Sequence, residues 1–191
     1  MASTDPIAEL LERIRAGDSG ASDRLFALLY DEFHGKAHQL LRVGPRQTLC
    51  TTELVNETWL RLRGHGIPVE SREHFAHLAA RAMRFVLIDR ARQRQALKRG
   101  EGEAPLELGT LDAGGDDPFE VLALADTLSE LARIDPDLAR IAELHLFGGY
   151  SIIEIGELLG VPERTAFRRW RTARMFLVKS LSGKDSVEPP G

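Results

Sequence analysis

Arginines recur at Arg164, Arg168, Arg171 and Arg174, with Thr165 and Phe167 set among them. At roughly 100° per residue on a helix, Arg164, Phe167, Arg168, Arg171 and Arg174 share one side. Ala166, Trp170, Ala173 and Leu177 share the other. A guanidinium is always charged and presents a planar fork of donors, which matches phosphate oxygens and the acceptor edge of guanine. Thr165 and the amides at the start of such a helix suit a backbone phosphate. The chemistry on offer is DNA binding. Taken without its neighbours, the same pattern also describes an arginine-rich solvated helix.

Two further clusters lie upstream. His74, His77, Arg81, Arg84, Ile88, Arg92, Gln95 and Arg99 fall within roughly a quarter-turn of one long predicted helix. Such a ridge can track a nucleic-acid backbone, and its histidines can stack on unpaired bases. Considered alone it reads as an ordinary solvated flank. Glu53, Asn56, Glu57 and Arg61 form the polar side of another helix, again a solvated face by itself. A metal reading pairs His74 with His77, one turn apart, with His38 or Asp89 completing the set. No partner stands at a second fixed spacing and arginines surround the pair, so neither metal nor cofactor is expected. The lone Cys50 excludes an internal disulfide and has no nucleophile's constellation around it.

Ser151 caps a short helix to about Leu159, with Ile152, Ile155, Leu158 and Leu159 apolar. Gly160 stands where a left-handed residue ends that helix, and Pro162 opens the next, which runs to about Leu177. So short a turn makes the helices cross steeply, as in a helix-turn-helix. Upstream of it, helices are predicted over about Phe119–Ala132 and Pro136–Phe147, the latter closed by Gly148-Gly149. Earlier ones are predicted from Pro6 to Gly17, Ala21 to Arg42, Thr51 or Thr52 to Arg63, and from a Ser71 cap to about Ala96. Their expected core includes Leu25, Leu28, Leu29, Phe33, Ala37, Leu40 and Leu41 in the second helix. In the third it includes Leu54, Val55, Trp59 and Leu62. In the long fourth helix it is Phe75, Leu78, Ala79, Ala82, Phe85 and Val86. No strand pattern appears.

Over 191 residues, 43% are hydrophobic, enough for a core, and the net charge is −4, which by itself speaks against nucleic acid. The local pattern speaks otherwise. Glu101 to Glu120 holds seven acidic residues and no Lys or Arg, whereas Arg72 to Arg99 holds eight Lys/Arg against Glu73 and Asp89. Glu163 to Lys179 holds six Lys/Arg against one Glu. The expected architecture is all-α, with two small helical domains, 1–97 and 118–182. A flexible acidic linker, 98–117, joins them. The second is a four-helix domain with the helix-turn-helix, and a polar tail occupies 183–191. Met1 to Ala16 lacks a signal-peptide core and no run of about 18 apolar residues occurs, so a cytoplasmic protein without a membrane span is expected.

These pieces resemble the bacterial extracytoplasmic-function (ECF) RNA polymerase sigma factors, most closely their ECF-like subgroup. The stretches that carry the likeness are LLYDEF (Leu28–Phe33), ELVNETWLRL (Glu53–Leu62) and HFAHLAARAMRFVLIDRAR (His74–Arg92). The last is ELHLFGGYSIIEIGELLGVPERTAFRRWRTARMFL (Glu143–Leu177). Their order and spacing, covering about Ile7 to Leu181 apart from the linker, are more specific than any one of them. The resemblance implies a non-enzymatic subunit that binds core RNA polymerase and directs promoter-specific transcription initiation. Glu53, Asn56, Glu57 and Arg61 would face polymerase. His74, His77, Arg81, Arg84 and Arg92 would meet the −10 strand, with the loop from Gly64 to Arg72 helping to capture a flipped base. Arg164, Thr165, Phe167, Arg168, Arg171 and Arg174 would read the −35 element. The linker would run near the RNA-exit path, and partners would be core polymerase, promoter DNA and, where one exists, an anti-sigma factor. Two departures stand out. Phe167 occupies a reading position where polar or basic residues are common, and Ala166 replaces the usual branched residue in the core of the motif. Two alternatives stay open, a free-standing helix-turn-helix regulator and a metal-dependent hydrolase built on His74 and His77.

Overall fold

A computed structural model describes residues 6–43, 49–64, 71–100 and 118–184. The described residues are helical apart from turns and caps: α1 (Pro6–Arg15), α2 (Ser19–Val43), α3 (Thr51–Gly64), α4 (Arg72–Gly100), α5 (Pro118–Ile134), α6 (Pro136–Leu146), α7 (Ile152–Leu158) and α8 (Glu163–Lys184). Every expected helix is present. Two run further than their sequences suggest. The α4 helix continues through Lys98 to Gly100, expected in the linker, and α8 continues through Gly183 to Lys184, expected in the tail. Most of the linker and tail, and of the loop before α4, lies outside the described residues, as do the side chains of Lys98 and Arg99.

The helix starts follow local chemistry. Asp135 accepts from the Leu138 amide at 3.0 Å with Pro136 at the first helical position, and the Ser71 hydroxyl accepts from the His74 amide at 3.0 Å. In α3 the Glu53 carboxylate folds back to accept from the Cys50 amide at 2.9 Å. That bond holds its pKa below the ordinary carboxylate value.

The long helix α4 is the hub. On one side Phe75, Ala79, Met83 and Val86 are buried with α2 and α3, where Phe33 meets Phe75 edge-on at 5.3 Å. On another side Ala76 and Ala80 are buried with Ile141, Leu144, Ile152, Ile155 and Ala166. One apolar core therefore runs from the N-terminal helices through α4 into the C-terminal half, whose Leu128, Leu131 and Ala142 belong to it. Three expectations about burial change. Ile88, placed on the basic ridge, is buried. Phe85 is 41% exposed at the rim of the junction, beneath the Arg81 guanidinium. Leu28 is 48% exposed, because it lies roughly 120° around α2 from the centre of the stripe of Leu25, Leu29, Phe33 and Ala37. Trp59 is half-buried, stacked on Phe26 at 4.5 Å.

Close approach of the two halves depends on Gly148 and Gly149. The latter has φ +69°, and a Cβ there would stand 2.4 Å from the Lys36 carbonyl oxygen of α2. A Cβ on Gly148 would stand 3.0 Å from the Ala80 Cβ. The pair that reads as a helix stop is also where backbone meets backbone across the junction.

Candidate nucleic-acid interface

The helix-turn-helix is built from its caps upward. Ser151 and Glu154 cap α7 reciprocally: the Ser151 hydroxyl accepts from the Glu154 amide at 3.3 Å, and the Ser151 amide donates to the Glu154 carboxylate at 2.8 Å. At the other end Gly160, with φ +62°, donates to the Glu157 carbonyl at 3.2 Å while Val161 donates to the Gly156 carbonyl at 2.9 Å. That is the paired-bond helix stop that favours glycine. Gly160→Ala is expected to cost about 1–2 kcal/mol, the left-handed penalty for an L side chain, read by urea denaturation.

The departure at Ala166 lies at the crossing of α7 over α8. Ala166 is fully buried, and a Cβ on Gly156 would stand 3.5 Å from its methyl and 3.3 Å from the Val161 carbonyl oxygen. The small residues at 156 and 166 thus face each other where α7 crosses α8. Further along α8, Ala173 and Leu177 are buried and Trp170 is half-buried, edge-on to His145 at 4.4 Å. His145 in turn sits 2.8 Å from the Tyr150 carbonyl oxygen through Nδ1, fixing its ring.

With one face committed to packing, the other is free to bind. Arg164, Arg168, Arg171 and Arg174 are exposed, Phe167 is exposed and Thr165 half-buried. The structure brings all six together at the first half of α8. Met175 and Val178, 67% and 53% exposed, extend this face with apolar surface that a charge pattern does not mark.

The ridge on α4 is not one continuous surface. Arg81 and Arg92 are exposed, and His74 is half-buried near the Ser71 cap. His77 and Arg84 instead turn into the junction with the C-terminal half. Arg84 Nη1 donates to Glu143 Oε1 at 3.0 Å, and its Nη2 donates to the Ala125 carbonyl and the Ser129 hydroxyl. The other Glu143 oxygen lies 3.2 Å from His77 Nε2. Burial pushes the Glu143 carboxyl up, but the bonds from His77 and Arg84 outweigh it and hold the pKa below the ordinary 4.5. The metal reading finds no support in these contacts: Asp89 is paired with Arg61, and His77 faces a carboxylate already shared with arginine. Among the described residues no group of three or more His, Cys, Asp or Glu converges as a metal site.

On α3, Glu53 and Asn56 are exposed, whereas Glu57 pairs with Arg90 and Arg61 with Asp89 across to α4. Leu60, 66% exposed, stands in the middle of this polar face. A leucine in a helix ordinarily reads as core, but its place on the wheel between Glu53 and Asn56 marks it as outward.

None of the described helices is long and apolar enough to cross a membrane. No curated protein matches the chain significantly. Residues 4–183 match the family described as ECF sigma factor, a stretch that takes in the described helices except the last residue of α8. The chain, whose described residues are helical apart from turns and caps and which is matched over nearly its whole length, belongs to the ECF sigma factor family.

Proposed function

We propose that this sigma factor binds core RNA polymerase through α3 and directs initiation at promoters whose −35 element α8 reads and whose −10 strand α4 holds. The observation that supports this most is the division of α8. Its packing face is buried and its capped, glycine-turned start leaves Arg164, Phe167, Arg168, Arg171 and Arg174 outward together. Guanidinium groups on such a helix reach phosphates and guanine edges, while exposed Phe167 offers apolar contact to a thymine methyl. A net charge of −4 keeps the free protein from coating DNA at large. Both contacts then gain avidity when polymerase holds them in register.

Run-off transcription with core polymerase across genomic promoters tests the proposal. Binding to core and promoter-dependent transcripts are expected, and a protein that neither binds core nor initiates would sink it. The α3 face carries its own prediction. Leu60→Asp is expected to weaken core binding roughly tenfold or more, the scale of an apolar interface anchor, in a titration of labelled sigma against core. Thermal stability should be unchanged, since Leu60 is 66% exposed.

A further inference from the structure

The junction between the halves is held by polar contacts that occupy the proposed strand-binding residues. Arg84, its side chain 12% exposed, and His77 both engage Glu143, whose side chain is 8% exposed. On another edge Lys36 Nζ lies 2.5 Å from Glu154 and 4.5 Å from the centre of the Tyr150 ring, and Arg140 pairs with Glu73 at 2.9 Å. The −35 face of α8 takes no part and stays exposed. Closure therefore acts on one nucleic-acid surface and spares the other.

Two features make this closure reversible. Arg84 Nε is buried without an acceptor among the described residues, a penalty that opening relieves. A groove of about 490 Å³ between α4, α5 and α6 leads from exposed Arg81 and Phe85 inward to Arg84 and Glu143. An incoming phosphate can meet Arg81 first and then compete with the Glu143 carboxylate for Arg84.

We propose that Glu143 is an internal stand-in for the DNA strand, so that the C-terminal half inhibits strand binding by α4 until the junction opens. This rests on the reading of α4 as the −10 surface. In the free protein only the open fraction binds a strand, and the apparent affinity is lowered by that fraction. Duplex binding by α8 is untouched.

The test uses the full chain and two probes, a short fluorescein-labelled single strand of mixed sequence and the corresponding duplex, read by anisotropy. Glu143→Gln and Lys36→Ala are each expected to raise single-strand affinity, about tenfold if the open form is roughly a tenth of the population, with duplex affinity unchanged. Lys36→Ala is the sterner case: it removes a positive charge and lies on the far edge of the junction, so a gain cannot come from net charge. In a Cys50→Ser background, Glu73→Cys and Arg140→Cys joined by a cleavable bismaleimide should lose single-strand binding, keep duplex binding, and recover on cleavage. Unchanged single-strand affinity in all three proteins would overturn the latch. Failure of the untethered wild type to initiate with core polymerase would count instead against the sigma reading, so the two failures are distinguishable.

Discussion

Combining Arg168→Ala with Arg171→Ala is expected to cut initiation from a −35-dependent promoter by about thirtyfold at least, with core binding intact. Each arginine lies on the exposed face of α8, and neither has a role in packing that helix, which is held by Ala166, Trp170, Ala173 and Leu177. Loss of a good guanidinium–base pairing costs about 1–3 kcal/mol, so two independent losses give about 2–6 kcal/mol. If an arginine serves a phosphate instead, its removal weakens binding uniformly across sequences and flattens the salt dependence. Run-off assays on promoter variants at several salt concentrations separate the two. Core affinity, measured in parallel, should not move, because α3 is remote from the substituted face. A matching loss of core binding would mean that α8 is not a separate DNA-reading element.

Glu143→Ala is expected to convert a single cooperative unfolding transition into two. Removing one partner of a buried ion pair costs about 3–5 kcal/mol when the other charge stays buried. Arg84 has a second course, since opening the junction returns its guanidinium to water. Whichever cost is smaller sets the outcome, and with Arg84 Nε already lacking an acceptor, parting of the halves is favoured. Calorimetry would then show the two halves melting separately, where the wild type melts as one. The pH dependence carries the same sign. The native Glu143 pKa lies below 4.5, so its contribution is complete above 4.5 and is lost as pH falls through the lower native value. Wild-type closure should weaken over that acid range, and Glu143→Ala should show no such step. A single sharp transition in the variant with an unchanged acid profile would refute this account.

Much of the fold was legible because helices announce themselves locally. Caps such as Ser71 and Ser151, stops such as Gly160, and apolar spacing at three and four residues are all short-range signals. The six residues of the α8 face could be assembled for the same reason, since they sit on one helix whose packing side is plain. The α4 ridge could not. A helical wheel says that His77 and Arg84 share a face with Arg81 and Arg92, but not that Glu143, 59 residues from Arg84, covers part of it. Phe85 is exposed on similar grounds, as an apolar residue whose burial depends on which neighbour arrives, whereas the exposure of Leu28 follows from its own place on the α2 wheel. At Ala166 the neighbour that matters is Gly156, on the other helix of the motif, which a reading of α8 by itself does not show.

Glu154 closes the cap of α7 and also holds Lys36 of α2. That double duty bears on modular exchange. A chimaera spliced within residues 101–117, taking its C-terminal half from a relative, would import a helix-turn-helix whose own cap is complete. It would meet Lys36 of the retained α2 with a matching glutamate, a glycine clearance over the Lys36 carbonyl and a tyrosine beneath the ammonium only by coincidence. Such a hybrid would keep its DNA-reading motif and lose its resting state, initiating without restraint. Transplanting promoter preference together with restraint requires carrying position 36 and its neighbours on α2 along with the C-terminal half.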